Sequence, residues 1–351
     1  MSQPKPKPKP KRSKPRGSKV DLALQGGGSH GAFTWGVLDA LLEDGSLEFD
    51  GVSGTSAGAL NAAVLACGLA EGGRDGARRA LSAFWRDLAS CGGGFYPGPR
   101  GALGGFNLDT NPWFGWLNAW SQQWSPYQFN PGNRNVLRDL LGRHVREPVL
   151  RHSALRVFVT ATSVRTGQPH VFSGEHLSID ALLASACLPQ LFQAVTIAGE
   201  PYWDGGYVGN PALWPLIYET GALDILLVQI DPLVREGTPT SVAEIADRLN
   251  EITFNASLSA EMRAIAFVKK LIKENRIEAG HYKDLRLHRI ADDLALAPLD
   301  ASSKYNTDLN LIEALFGIGR AAAQRWLVQH RAAVGVKSSF DFEAVFLAPR
   351  Q

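Results

Sequence analysis

The feature that most constrains this chain is a pair of strand, glycine-turn and helix units in direct succession near its start. Lys19 to Gln25 is a short apolar run that stops at Gly26, Gly27 and Gly28, and Gly31 to Glu43 then carries apolar residues at helical spacing. A second unit follows at once, with Phe49 to Ser53 as a strand, Gly54 to Gly58 as a turn and Ala59 to Leu69 as a helix of small apolar residues. Two such units in close succession predict an α/β fold with a mainly parallel sheet, because each helix has to return the chain to the edge where the next strand starts.

Later segments extend the pattern. Strands are predicted at Leu155 to Ser163, Pro169 to Phe172, Ala194 to Ala198, Pro201 to Trp203, Leu223 to Ile230 and Leu285 to Ile290, and helices at Ile179 to Ala186, 241 to 276 and 308 to 333. Residues 91–135 differ in character, with several prolines, a Gly92-Gly93-Gly94 run and the tryptophans Trp113, Trp116, Trp120 and Trp124. This loop-rich insertion is too aromatic for disorder, and it reads either as a satellite core or as a cover over a substrate.

The net charge of +2 conceals an asymmetry, since eight of the 36 Lys and Arg lie in residues 1–19 with no acidic residue among them. That tail alternates Lys with Pro and is expected to be an extended, solvated arm, either solubilising or attracted to anionic lipid headgroups. The division expected from these features is the tail at 1–19, a catalytic domain at 20–231 and a helical extension at 232–351 that completes the same domain. No apolar run reaches the 18 residues of a membrane span, and no signal-peptide core follows the tail's charges. Cys67, Cys91 and Cys187 are odd in number and match no metal or disulfide spacing. A cytoplasmic setting is expected, peripheral to a lipid surface if the tail docks there.

The chemistry concentrates at the turns. Gly54-Thr55-Ser56-Ala57-Gly58 is a G-x-S-x-G sequence between a strand and a helix, a context that holds the serine on a sharp elbow and projects its hydroxyl at the sheet edge. Gly26 to Gly31 fits G-x-G-x-x-G, which admits dinucleotide binding with Asp50 on the ribose, but the same exposed amides are better used to hold an oxyanion beside Ser56. Asp204-Gly205-Gly206 follows a predicted strand, whereas a similar Asp75-Gly76-Ala77 lies in a polar segment with no strand before it.

Together these motifs, in this order, resemble the patatin-like phospholipase family, strongly over residues 20–70 and around 185–211, including Ser185-Ala186-Cys187-Leu188-Pro189. The resemblance implies a three-layer α/β/α fold, a Ser56–Asp204 catalytic dyad without an obligate histidine, an oxyanion loop of Gly26, Gly27 and Gly28, and supporting glycines at Gly31, Gly54, Gly58, Gly205 and Gly206. It implies a lipid ester as substrate, with no metal, no organic cofactor and no specific nucleic-acid partner. His30 departs from the Arg or Lys that the family often carries before Gly31; it stands either as a partly charged or hydrogen-bonding anion stabiliser or as a plain surface histidine.

Three other readings stay open on the sequence: a Ser-Asp-His triad completed by His281, His288 or His330; an acyltransferase working through the same acyl-Ser56; and a non-catalytic protein that grips phosphate or a lipid surface.

Overall fold

A computed structural model describes residues 18–91, 103–108, 123–235, 237–278 and 280–347. Trp113, Trp116 and Trp120, and nearly all of the basic tail, lie outside the described residues, and with them both readings of the insertion.

The first unit is β1 (Ser18–Leu24), a single 3-10 turn at Gly28–His30 and α1 (Gly31–Asp44); the second is β2 (Leu47–Thr55) followed by α2 (Ala57–Cys91). The sequence predicts a helix ending near Leu69, and α2 consists of two helices, the first ending just past Leu69 and the second running to Cys91. The polar, glycine-rich stretch after Leu69 separates the two, with Gly72 and Gly73 outside helical geometry and Gly73 at φ 60°. Asp75 therefore lies within a helix.

Beyond α2 come α3 (Val136–His144), β3 (Arg156–Ser163), β4 (Pro169–Ser173), α4 (Ile179–Ser185), β5 (Val195–Ile197), β6 (Glu200–Asp204) and β7 (Asp224–Val228). The chain finishes with α5 (Val242–Lys273), β8 (Arg286–Ile290), α6 (Leu309–His330) and α7 (Phe342–Phe346). The eight-stranded sheet has the order β5-β6-β3-β2-β1-β7-β8, with β4 also paired to β3. Strands β3, β2, β1, β7 and β8 run parallel, and β4, β5 and β6 add an antiparallel margin.

Side-chain alternation sorts the core into two sides. Leu226 and Val228 of β7 join one cluster with Val20, Leu22 and Leu24, covered by α1, α2 and α6. Ile225 and Leu227 point the other way, into a cluster with Leu258 and Met262 of α5 and Phe342 of α7. Because both faces of the parallel strands are covered, they read as continuous apolar runs.

Register then positions the loops. Leu24 pairs with Gly54 across β1 and β2, and Thr55 pairs with Thr160 across β2 and β3, so the glycine loop and Ser56 emerge at one sheet edge. The antiparallel β6 brings Asp204 opposite Ala161, one residue from that pair. The fold thus converges three distant segments on one spot.

Candidate active site

Ser56 takes a left-handed backbone conformation, φ 52°, between the last residue of β2 and the first of α2. For a residue with a Cβ this costs on the order of 1–2 kcal/mol, and neighbouring contacts hold it in place. The Ser56 N–H donates to Ser185 Oγ (2.9 Å), whose own hydroxyl donates to the Thr160 carbonyl (2.6 Å). Leu60 N–H donates to the Ser56 carbonyl as α2 begins.

Asp204 has no exposed surface. Its backbone N–H donates to the Cys187 carbonyl (2.8 Å), and its Oδ1 accepts from Gly206 N–H (2.7 Å). Oδ2 is buried without a formed hydrogen bond, while the Ser56 hydroxyl is near enough to favour the ionised carboxyl. The two side chains are adjacent without a formed hydrogen bond. Burial pushes the Asp204 carboxyl up to about 7, against the Gly206 amide, the Ser56 hydroxyl and the Lys304 cation, which all pull it down.

The glycine loop wraps over Ser56. A Cβ on Gly26 would sit 2.6 Å from the Thr55 carbonyl and 2.8 Å from Ser56 Cβ, and Gly28, at φ 55°, lies against the Lys304 backbone, so neither position admits a side chain. The Gly26 N–H donates to Asn210 Oδ1 (2.7 Å), which takes this amide out of the expected oxyanion set. Among the described residues the Gly27 and Gly28 amides are not engaged, and both residues line the cavity with Ser56.

His30 is neither a surface residue nor a cation. It is buried, and burial together with the nearby Lys304 and Arg235 charges pushes it down to about 3. Its Nε2 lies 2.8 Å from Ser303 Oγ. Since that hydroxyl donates to the Asp300 carbonyl (2.7 Å), it accepts from His30 Nε2–H, which pins the loop from behind.

The cavity over Ser56 has a volume of about 240 Å3. Leu60 and Leu88 of α2, Leu137 of α3 and the Leu188 to Phe192 segment make an apolar wall; Asn250, Lys304 and Thr307 supply the polar part. None of the three late histidines lines it. His281 is exposed beside Glu278, His288 is buried with Nε2 on Asp224 (2.9 Å), and His330 closes α6. Asp50, the residue that a dinucleotide reading needs, pairs with Lys19 (3.0 Å) and Arg156 (3.0 Å), away from the glycine loop. No group of three or more His, Cys, Asp or Glu suited to a metal occurs among the described residues.

With this geometry in place, the family model described as patatin-like phospholipase matches residues 22–217. The chain belongs to the patatin-like phospholipase family. No curated protein matches it. Among solved structures, VipD from Legionella pneumophila aligns at 17% identity and TM-score 0.36, covering 84% of this chain and 67% of VipD. ExoU in its heterodimeric complex with SpcU, from the type III secretion system of Pseudomonas aeruginosa, aligns at 19% identity and TM-score 0.29, covering 91% and 61%. A second ExoU structure is covered over 53% of its length, so the chain spans about half to two thirds of these neighbours.

Three site residues escape sequence reasoning. Ser185, Asn210 and Lys304 carry no local motif for their roles; each matters through a partner more than a hundred positions away.

Proposed function

We propose that this protein is a serine acyl hydrolase that cleaves carboxylic esters of lipids, with Ser56 as nucleophile and Asp204 as its base. One observation carries the reading: a serine held at φ 52° and a fully buried carboxyl open into the same mainly apolar cavity.

In this reading the ionised Asp204 takes the Ser56 proton as Oγ attacks the acyl carbon. The carbonyl electrons move to oxygen, and that oxyanion sits on the Gly27 and Gly28 amides near the N-terminus of α2, which also favours negative charge. Collapse of the intermediate breaks the ester bond, and the departing alkoxide takes the proton from Asp204. Water then attacks the acyl-Ser56, gives a proton to Asp204, and Ser56 leaves with that proton as the fatty acid is released. The apolar wall holds the acyl chain, and the dyad needs no histidine.

In support, the family supplies a lipid acyl hydrolase as the general expectation, and among the described residues no histidine lines the cavity with Ser56. A cytoplasmic protein working at a lipid surface, aided by the basic tail, completes the proposal, and no helix among the described residues is long and apolar enough to cross a membrane. The test is fatty-acid release from phosphatidylcholine vesicles. Wild type and the His281→Ala, His288→Ala and His330→Ala variants are expected to release fatty acid, with Ser56→Ala and Asp204→Asn inactive. Loss of activity in one histidine variant that still folds would replace the dyad by a triad; transfer of the acyl group to added alcohol in preference to water would mark an acyltransferase.

A further inference from the structure

Lys304 is the one cation among the described residues that line the cavity. It belongs to a short 3-10 turn, Ser302–Tyr305, that braces the glycine loop twice: through Ser303 on His30, and through the Lys304 backbone against Gly28. Its side chain is largely buried. Nζ pairs with Asp231 Oδ1 (2.7 Å), reaches Asn250 Oδ1 (3.3 Å), and lies 5.6 Å from the centre of the Phe254 ring. Phe254 in turn packs against Gly206, tightly enough that a Cβ there would strike the ring, so one aromatic ring separates the ammonium from the Asp204 turn.

We infer that Lys304, tethered by Asp231, is a positioning residue of this site whose ammonium keeps Asp204 in the ionised, proton-accepting form. The inference rests on the hydrolase reading above. Burial alone drives a carboxyl towards its neutral form, which cannot accept the Ser56 proton, and an opposite charge nearby is the direct physical remedy. Among the described residues the cavity lining offers no other cation, and the nearby His30 is neutral. Asp231 does not cancel the effect. Lys304 lines the cavity and Asp231 does not, so the pair turns its positive end to the cavity.

The other groups around these two residues do not substitute for Lys304. Cys187, Tyr207 and Tyr305 near Asp204 are held neutral by burial, each pushed up from its ordinary value. Around Lys304, Arg235 is paired with Glu251 (2.7 Å), and Asp300 is occupied by Ser302 and Ser303.

Lys304→Met keeps the stem over Phe254 and removes the charge; the double variant Lys304→Met with Asp231→Asn removes the pair as a unit and avoids stranding a buried carboxylate. The probe is p-nitrophenyl butyrate, neutral and soluble, with kcat/KM followed against pH. A second readout, independent of turnover, is the Asp204 carboxyl titration by infrared difference against Asp204→Asn. Both variants are expected to raise the acid-limb midpoint and the carboxyl titration together by about half a pH unit or more, and Lys304→Arg to restore them. A loss of activity that is uniform across pH, with both midpoints unmoved, leaves Lys304 as packing and overturns the inference. A wild type that neither hydrolyses the ester nor reacts with a fluorophosphonate overturns the hydrolase reading and this inference with it; an active wild type with unmoved variants overturns this inference alone.

Discussion

At Ser56 and Asp204 the protein keeps two unfavourable arrangements side by side. The left-handed Ser56 is strained, so Ser56→Gly should abolish hydrolysis and raise stability by about 1 kcal/mol, measured by urea unfolding. Asp204 predicts two pH effects. In its proposed role as base it must be ionised, so kcat/KM should climb as pH rises through about 7. In folding, a carboxyl raised from 3.8 to about 7 keeps its proton in the folded state after the unfolded chain has lost it. Its contribution is full below about 3.8 and is lost as pH rises through 7. Asp204→Asn escapes that loss, and its melting temperature should exceed that of wild type by a few degrees at pH 8 but not at pH 4. Equal differences at the two pH values would show that the buried carboxyl is not the cause. His30 acts in the opposite sense: its stabilising effect is present above 6.5 and is lost as pH falls towards about 3. Ser56 and Asp204 were legible in the sequence because each sits in a local turn motif that has a physical reason. His30 was legible as a departure, but its burial beneath Ser303 was not, since that partner arrives from 273 positions away.

Among the elements, α4 and the turn after it do more than fill space. Ser185 at the end of α4 ties the Ser56 amide to the Thr160 carbonyl, Cys187 holds the Asp204 amide, and Ala186 and Leu188 line the cavity. Ser185→Ala would strand a buried N–H and a buried carbonyl, and should cost about 1–3 kcal/mol in urea unfolding together with a drop in kcat. Unchanged stability and kcat would mean that the elbow is held by the glycine packing alone. The resemblance marked this stretch, yet the sequence offers no reason for Ser185 itself; the reason lies in the register of β2 on β3. Strands and helices were readable because parallel strands covered on both faces show as apolar runs and helices as 3.6-residue repeats. The second half of α2 was not, because its core residues Leu81, Phe84 and Trp85 are set among charged residues, although Gly72 and Gly73 end the first half close to the predicted Leu69.

Over the whole molecule, the glycine loop and Ser56 meet Asp204, more than a hundred residues further on, at one sheet edge, and residues after 231 contribute β8 to the sheet and α6 to the cover on α1. The glycine loop is held by this long-range assembly: Gln25 accepts from the Ile230 and Asp231 amides and donates to Asn255 of α5. Sequence reasoning found the loop but not its braces, because hydrogen bonds between distant polar residues leave no periodic trace. The basic tail makes a separate prediction at this scale. Deleting residues 2–17 should weaken binding to vesicles containing anionic lipid, by roughly 1 kcal/mol for each Lys or Arg that reaches the surface, and leave binding to neutral vesicles unchanged; equal loss on both would refute an electrostatic role. The proposed chemistry stands on Ser56 being a nucleophile served by Asp204, and the most direct test is covalent labelling by a fluorophosphonate, located by peptide mass spectrometry. Label on Ser56 in wild type, slowed strongly in Asp204→Asn and unaffected in the three late-histidine variants, is the predicted result. Label elsewhere, or a Ser56 that stays unmodified under conditions where the protein is folded, would contradict it.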